Sequence, residues 1–358
     1  MTRGEPQRIL VLAIRALGDV VLTTPVYRNL RRAYPTARLE VLVEEPYEAL
    51  LRGNPCLDRI RTVDRSRTRS PWQRWREQVA LVRALRRERF DVVLDLFGGP
   101  RSAILARLCG APRRIGPVTR GHGWLYTERL SVPKEGLHLV RQKLAMAGPL
   151  LPRAEELPLE LVVTAEERAW ARARLAQAGI TPGSPLVGFF PGAGWWHKTW
   201  PPERFAALGD ALQRDLGAAI LVLGGTRDVA GTHAVAGRMQ RAPVVMDGLA
   251  DLRETMALID AVHLFVSNDT GPMHIAMGLG KPTLVLFGPS DPRKYGPWGA
   301  HGEVVSAYLP CSPCPQGEDT CHLVNRQRQE CMLLLDVEMV RARALAFWNR
   351  TVALTTHA

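Results

Sequence analysis

The chain has 358 residues, 46% of them hydrophobic and 23% charged, with 47 basic residues against 35 acidic ones and a net charge of +12. This is the mix of a globular protein of two or three domains, and it excludes long disorder and collagen-like repeats. No apolar run reaches the ~18–20 residues of a membrane span, and the first eight residues lack a signal peptide's apolar core, so the chain is expected in the cytoplasm. Lys occurs only at positions 134, 143, 198, 281 and 294, so Arg carries most of the positive charge. Arg forks pair with phosphate and carboxylate, which favours an anionic partner: nucleic acid, a phosphorylated small molecule or an acidic membrane surface.

Ile9–Ile14 is an apolar run of strand length, followed by a turn at 16–19 and a helical stretch to Tyr34. Arg38–Val43, Arg59–Val63 and Asp91–Leu96 read as further strands, the last after a helix over Gln73–Arg87. Strands alternating with helices indicate βαβ units and a parallel sheet. The pattern loosens over 111–158, and a helix over Ala165–Gly179 leads into Gly183-Ser184-Pro185. A second alternation then begins. Its strands are expected at Leu186–Phe190, Ala219–Leu223, Val244–Met246, His263–Ser267 and Thr283–Phe287. Its helices are expected at Pro202–Leu216, Val229–Gln240, Asp251–Asp260 and Pro272–Leu279. The expected organisation is an α/β chain of two Rossmann-like halves, 1–165 and 180–335, joined near 160–183. A final helix, within 336–358, is expected to return to the first half.

Ligands of open α/β sheets bind beyond the carboxyl ends of the strands. The loops to inspect are therefore 15–24, 95–101, 191–200, 224–228, 267–274 and 288–298, with the site expected in a cleft between the halves. In the first loop Gly18 permits a tight turn, and Asp19 near a helix start can either cap the helix or accept a proton from a hydroxyl. In Pro191-Gly-Ala-Gly-Trp-Trp-His-Lys-Thr-Trp200, Gly192 and Gly194 allow close backbone approach and Lys198 can neutralise phosphate. The plainer alternative is a surface loop with packed tryptophans. In Ser267-Asn-Asp-Thr-Gly-Pro-Met-His274, free N–H groups at a helix start suit phosphate, with Thr270, Gly271 and His274 adding contacts. Asp269 could orient a basic group or bind a sugar; Asn268, Asp269 and Thr270 could equally be simple caps. The glycine spacing does not fit G-x-G-x-x-G, which argues against a dinucleotide oxidoreductase.

Four stretches together resemble glycosyltransferase family 9, the ADP-heptose:lipopolysaccharide heptosyltransferases: Ile9–Pro25, Phe190–Phe205, Leu221–Asp228 and Val266–Ser290. The resemblance implies the GT-B fold, two Rossmann-like domains facing across a cleft, and inverting transfer by single displacement. It implies that Asp19 is the base and that Lys198, with the helix start at Thr270-Gly271, stabilises the departing diphosphate. Asp269 and His274 match donor-site positions. The donor would be ADP-heptose and the acceptor an anionic glycolipid of the lipid A–Kdo type, with no catalytic metal. A protein acceptor, another glycan or a different nucleotide sugar is the alternative within the same family.

Seven Arg (59, 61, 65, 67, 69, 74, 76) and two Trp (72, 75) fall within eighteen residues. Arg65, Arg67 and Arg69 are read as acceptor contacts and the stretch as peripheral to the inner membrane; a solvated helix face is the alternative. No nucleic-acid module accompanies the charge. Cys311, Cys314, Cys321 and Cys331 form a C-x2-C-x6-C-x9-C pattern that suits a structural zinc or iron, with reduced thiols or disulfides as alternatives. Some protein-modifying heptosyltransferases resemble this in binding iron through four Cys.

Overall fold

The computed structural model describes residues 5–64, 70–118, 121–133, 136–314 and 329–352. The chain divides into two compact units, Met1–Val162 and Val163–Ala358.

The first unit carries strands β1 (Arg8–Leu12), β2 (Arg38–Glu44), β3 (Arg59–Val63), β4 (Val92–Asp95), β5 (Arg113–Pro117) and β6 (Glu128–Leu130). They form one parallel sheet in the order β3-β2-β1-β4-β5-β6. The centre is apolar on both faces: Ile9 to Leu12 and Val93 to Leu94 are fully buried between helix layers. The order reverses between β1 and β4, whose chain ends are paired at Leu12 and Asp95. Helix Pro71–Glu88 starts with a capping box: Gln73 N–H donates to Ser70 Oγ at 3.2 Å, and Gln73 Oε1 accepts from Ser70 N–H at 3.0 Å. Two strands, β5 and β6, and the helix Leu139–Ala147 lie where the sequence pattern loosens. β6 is a three-residue edge strand, too short and polar to carry a periodicity.

The second unit carries β7 (Leu186–Phe190), β8 (Ala219–Gly225), β9 (Val244–Leu249), β10 (Leu264–Asn268), β11 (Thr283–Phe287) and β12 (Gly302–Ser306). Their parallel order is β12-β11-β10-β7-β8-β9, with the reversal between β7 and β10. Helix Ala165–Gln177, part of the expected linker, belongs to this unit. Thr164 and Glu167 cap it reciprocally, and Arg253 donates from Nε to Glu167 at 2.6 Å. The C-terminal helix, Val337–Thr351, also packs here. Its stripe Val340, Ala344, Phe347 and Trp348 is buried in the core beside helix Pro202–Leu216. These residues have i, i+4, i+7, i+8 spacing and fill the core of their own unit. No helix among the described residues is long and apolar enough to cross a membrane.

Candidate active site

In the first unit the chain leaves β1 at Leu12 and turns into a short helix, Leu17–Val21. Gly18 and Asp19 lie in its first turn, both half-exposed. The Ala16 N–H donates to Asp19 Oδ2 at 3.4 Å, a long contact, while Thr23 Oγ1 donates to the Asp19 carbonyl at 2.7 Å. The carboxylate thus serves as a weak cap and remains open to a ligand. Its side chain is 41% exposed, and Lys143 Nζ, on a side chain only 9% exposed, stands 3.5 Å from Oδ1. Lys143 comes from helix Leu139–Ala147, whose start is capped by His138 Nδ1 accepting from Val140 N–H at 3.2 Å.

Across the same strand reversal, β4 ends in Asp95, which is fully buried. Its Oδ1 accepts from the N–H groups of Phe97 and Gly98, both at 2.9 Å, and its Oδ2 from Tyr126 O–H at 2.6 Å. Burial pushes the Asp95 carboxyl above the usual carboxylate range, although these donors pull the other way. Burial and the neighbouring Asp95 charge likewise raise the Tyr126 hydroxyl. The held turn needs glycine at 98: φ is +69°, and a Cβ there would lie 2.3 Å from Pro117 Cγ. It carries Phe97 beneath the Arg15 guanidinium, 5.6 Å from the ring centre.

In the second unit the loop after β7 folds through a 3-10 turn at Trp196–Lys198. Lys198 Nζ donates to Asp269 Oδ2 at 2.7 Å, bridging the ends of β7 and β10. Here the acid is the buried partner, 8% exposed, and the lysine is 22% exposed. An ammonium has three donors, so two remain for an anion. Asn268, fully buried at the end of β10, fastens both ends of this loop. Its Oδ1 accepts from Trp200 N–H at 3.0 Å, and its Nδ2 donates to the Pro191 carbonyl at 2.7 Å. Gly192 is obligatory for a different reason: a Cβ there would sit 2.2 Å from Asp228 Oδ1, and Asp228 Oδ2 accepts from Gly225 N–H at 3.0 Å. Gly194 faces open space. Thr270 is the N-cap residue of helix Gly271–Gly278 and makes no side-chain cap bond, so the first amides of that helix are not closed by its hydroxyl. His274 lies buried in the next turn.

The structure therefore groups Lys198, Asp269, Thr270 and Gly271 at one strand reversal, and Gly18 and Asp19 at the other. The tryptophans divide. Trp195 and Trp196 are exposed, whereas Trp200 is core, with Nε1 donating to the Leu335 carbonyl at 2.8 Å. Sequence reasoning missed Lys143, Asp95 and Asp228, and read Asn268 only as a possible cap. Lys143 carried one signal, as one of five Lys in a chain otherwise supplied with Arg.

Two expectations change. Arg59 and Arg61 are tied to the sheet: Arg61 pairs with Glu40 and Glu88, and Arg59 lies 3.3 Å from Glu88. Glu40 has no exposure, so Arg61, with Arg38, neutralises a buried acid. Arg65, Arg67 and Arg69 lie outside the described residues. The four-Cys metal site is not supported. Cys331 turns its sulphur toward Gly288 at the edge of the core, and Cys321 is outside the described residues. Among the described residues no group of three or more His, Cys, Asp or Glu side chains is placed to hold an ion.

The model of glycosyltransferase family 9 (heptosyltransferase) matches residues 78–324. Lipopolysaccharide heptosyltransferase 3 of Escherichia coli is 29% identical over 296 residues, covering 80% of this chain and 84% of that protein. Among solved structures, a glycosyl transferase family 9 protein from Veillonella parvula has a TM-score of 0.77 at 28% identity, covering 84% of this chain and 86% of its own. E. coli heptosyltransferase WaaC with ADP-2-deoxy-2-fluoro heptose has a TM-score of 0.71 at 21% identity, covering 95% and 99%.

Proposed function

The chain belongs to glycosyltransferase family 9, and from that premise we propose that it moves heptose from ADP-heptose to a hydroxyl of the lipopolysaccharide inner core. The observation that carries this is the Lys198–Asp269 pair set beside the start of helix Gly271–Gly278, which suits the diphosphate of a nucleotide sugar. The reaction is one displacement with inversion. Asp19 takes the proton of the acceptor hydroxyl as its oxygen attacks the anomeric carbon. The bond from that carbon to the β-phosphate oxygen breaks, and its electron pair leaves with ADP. Lys198 and the amides at Thr270 and Gly271 meet the charge that develops there, in place of a divalent ion.

Gly192 and Gly194 give the donor room to approach backbone, and Gly18 does so beside the base. Asp269 fixes Lys198, and His274, buried within helix Gly271–Gly278, completes the donor site. Lys143 is a positioning residue: it holds the Asp19 carboxylate from the buried side. The acceptor is an anionic glycolipid, engaged by Arg65, Arg67 and Arg69, with the protein peripheral to the cytoplasmic surface of the inner membrane.

Calorimetric titration of the purified protein with ADP-heptose at fixed moderate salt tests the donor. Saturable binding is expected, and the product formed with a lipid A–Kdo acceptor should have the opposite anomeric configuration to the donor. A folded sample that does not bind ADP-heptose would assign the site to another nucleotide sugar.

A further inference from the structure

Helix Pro71–Glu88 has two faces. The inner one sets Leu85, with Leu81 and Val82 beside it, on the core of the first unit. The outer one leaves Trp72 and Trp75 exposed by 64% and 55%, their rings stacked 4.9 Å apart. Next to it helix Pro100–Leu108 turns Arg101, Ile104 and Leu108 outward, a stripe of i, i+3, i+7 spacing. A groove of about 660 Å³ is lined by both helices. Its lining joins apolar Trp75, Val79, Ile104 and Leu108 to the cations Arg74, Arg83, Arg86 and Arg101, with Asp64 as the acid among them. Over its whole length the first helix carries five Arg against Glu77 and Glu88, and Glu88 is already engaged by Arg38, Arg59 and Arg61.

We propose that this face docks on an anionic phospholipid bilayer, with Trp72 and Trp75 entering the headgroup layer and the arginines meeting lipid phosphates. The positive rim is complementary to an acidic leaflet. Exposed indole rings sit favourably at a bilayer interface, where one part is dry and another wet. Ile104, Leu108 and Val79 decide between membrane and nucleic acid. Aliphatic side chains gain nothing from a phosphate backbone but do gain from acyl chains. The face gives the proposed membrane contact a location, and rests on that contact but not on the identity of donor or acceptor.

The test is co-sedimentation of the full chain with vesicles of phosphatidylcholine alone, or with roughly one-third phosphatidylglycerol to supply an anionic surface. Binding is expected to the mixed vesicles, far less to the neutral ones, and to weaken as salt rises. Trp72→Ser with Trp75→Ser, and separately Arg83→Glu with Arg86→Glu, should each lower partitioning roughly tenfold or more. Arg172→Glu with Arg214→Glu, an equal charge change on exposed sites of the second unit, should leave it near wild type. Equal loss in that control pair, or unchanged partitioning in both face variants, would overturn the proposal. So would absence of binding by a folded protein, and displacement of both Trp variants and wild type alike by an oligonucleotide would assign the face to nucleic acid. ADP-heptose titration of the same samples separates the two ideas: vesicle binding without ADP-heptose binding assigns the donor site to another nucleotide sugar and keeps the docking face.

Discussion

In the first unit Asp19 is the exposed member of its ion pair and Lys143 the buried one; in the second, Lys198 is the more exposed member and Asp269 the buried one. Both pairs stand at the strand reversal of a sheet with the same order, where such folds bind ligands. The buried partner in each case fixes the outer one and leaves a single sign of charge on offer. One unit presents a carboxylate that can accept a proton, and the other presents an ammonium that can hold a phosphate. The spacing differs as well. Lys198 touches its acid at 2.7 Å, while Lys143 stands 3.5 Å from Asp19, so the carboxylate keeps lone pairs for a substrate proton.

Removing the outer member of either pair should have the largest effects, and different ones. Asp19→Asn keeps the shape but cannot take a proton. Turnover should fall about 10²–10⁴-fold, with the dissociation constant for ADP-heptose nearly unchanged by calorimetry. Loss of donor affinity in a folded Asp19→Asn protein would contradict a role confined to the acceptor. Lys198→Ala should instead weaken donor binding and turnover together, the latter by about 10²–10³-fold if it meets charge in the transition state. Unchanged values for both would remove Lys198 from the site.

The buried members should matter less. Lys143→Met leaves Asp19 able to accept a proton but no longer held from behind, so turnover should fall about tenfold, with donor affinity intact. Lys143→Arg should recover part of the loss, since it restores the cation with a different reach. If Lys143→Met leaves steady-state rates at wild type, the lysine does not position the carboxylate and the parallel between the units fails.

What the sequence could and could not say follows from the range of the interactions. Central strands such as Leu186–Phe190 and Thr283–Phe287 are legible because burial on both faces leaves a short continuous apolar run. The loops after them are legible for the same reason, and so Asp19, Lys198 and the 269–271 segment stand out. At the sheet edges the signal is uneven: β3 and β9 are legible, but β6 and β12 are not, β12, Gly302–Ser306, being largely half-buried and of ordinary composition. Partners are harder still. Lys143 meets Asp19 across 124 positions and Lys198 meets Asp269 across 71, and no local pattern encodes either. Arg59 and Arg61 read as a binding patch because their neutralising acids, Glu40 and Glu88, come from other elements.

The comparison extends to the residue that ends the fourth strand of each sheet, Asp95 on β4 and Asn268 on β10. Both are fully buried and both hold a loop, but with different chemistry. Asn268 gives one hydrogen bond and accepts one, so its NH₂ cannot be exchanged for a carboxylate oxygen. Asn268→Asp would set an acceptor against the Pro191 carbonyl and bury a charge, and should cost about 1–3 kcal/mol or more in urea unfolding. Donor affinity should fall with it, because the loop that carries Lys198 loses its fastening.

Asp95 only accepts, from Phe97, Gly98, Tyr126 and Ser102, so the reverse exchange should be mild. In Asp95→Asn the amide oxygen can keep both backbone donors, and the Tyr126 hydroxyl can turn to accept from the new NH₂. The cost near neutral pH should be under about 1 kcal/mol. The pH dependence carries the sharper information. Because burial raises the Asp95 carboxyl, the folded protein binds a proton there more tightly than the unfolded chain does. Its contribution to stability is therefore full below about pH 4 and is lost as pH rises through the folded value. Wild type should thus gain on Asp95→Asn as the pH falls from about 7 to about 4. Urea midpoints of the two proteins over that range measure the gain. A constant difference would mean that the carboxyl stays ionised when buried, held by its hydrogen-bond donors, Ser102 among them, against the cost of desolvation.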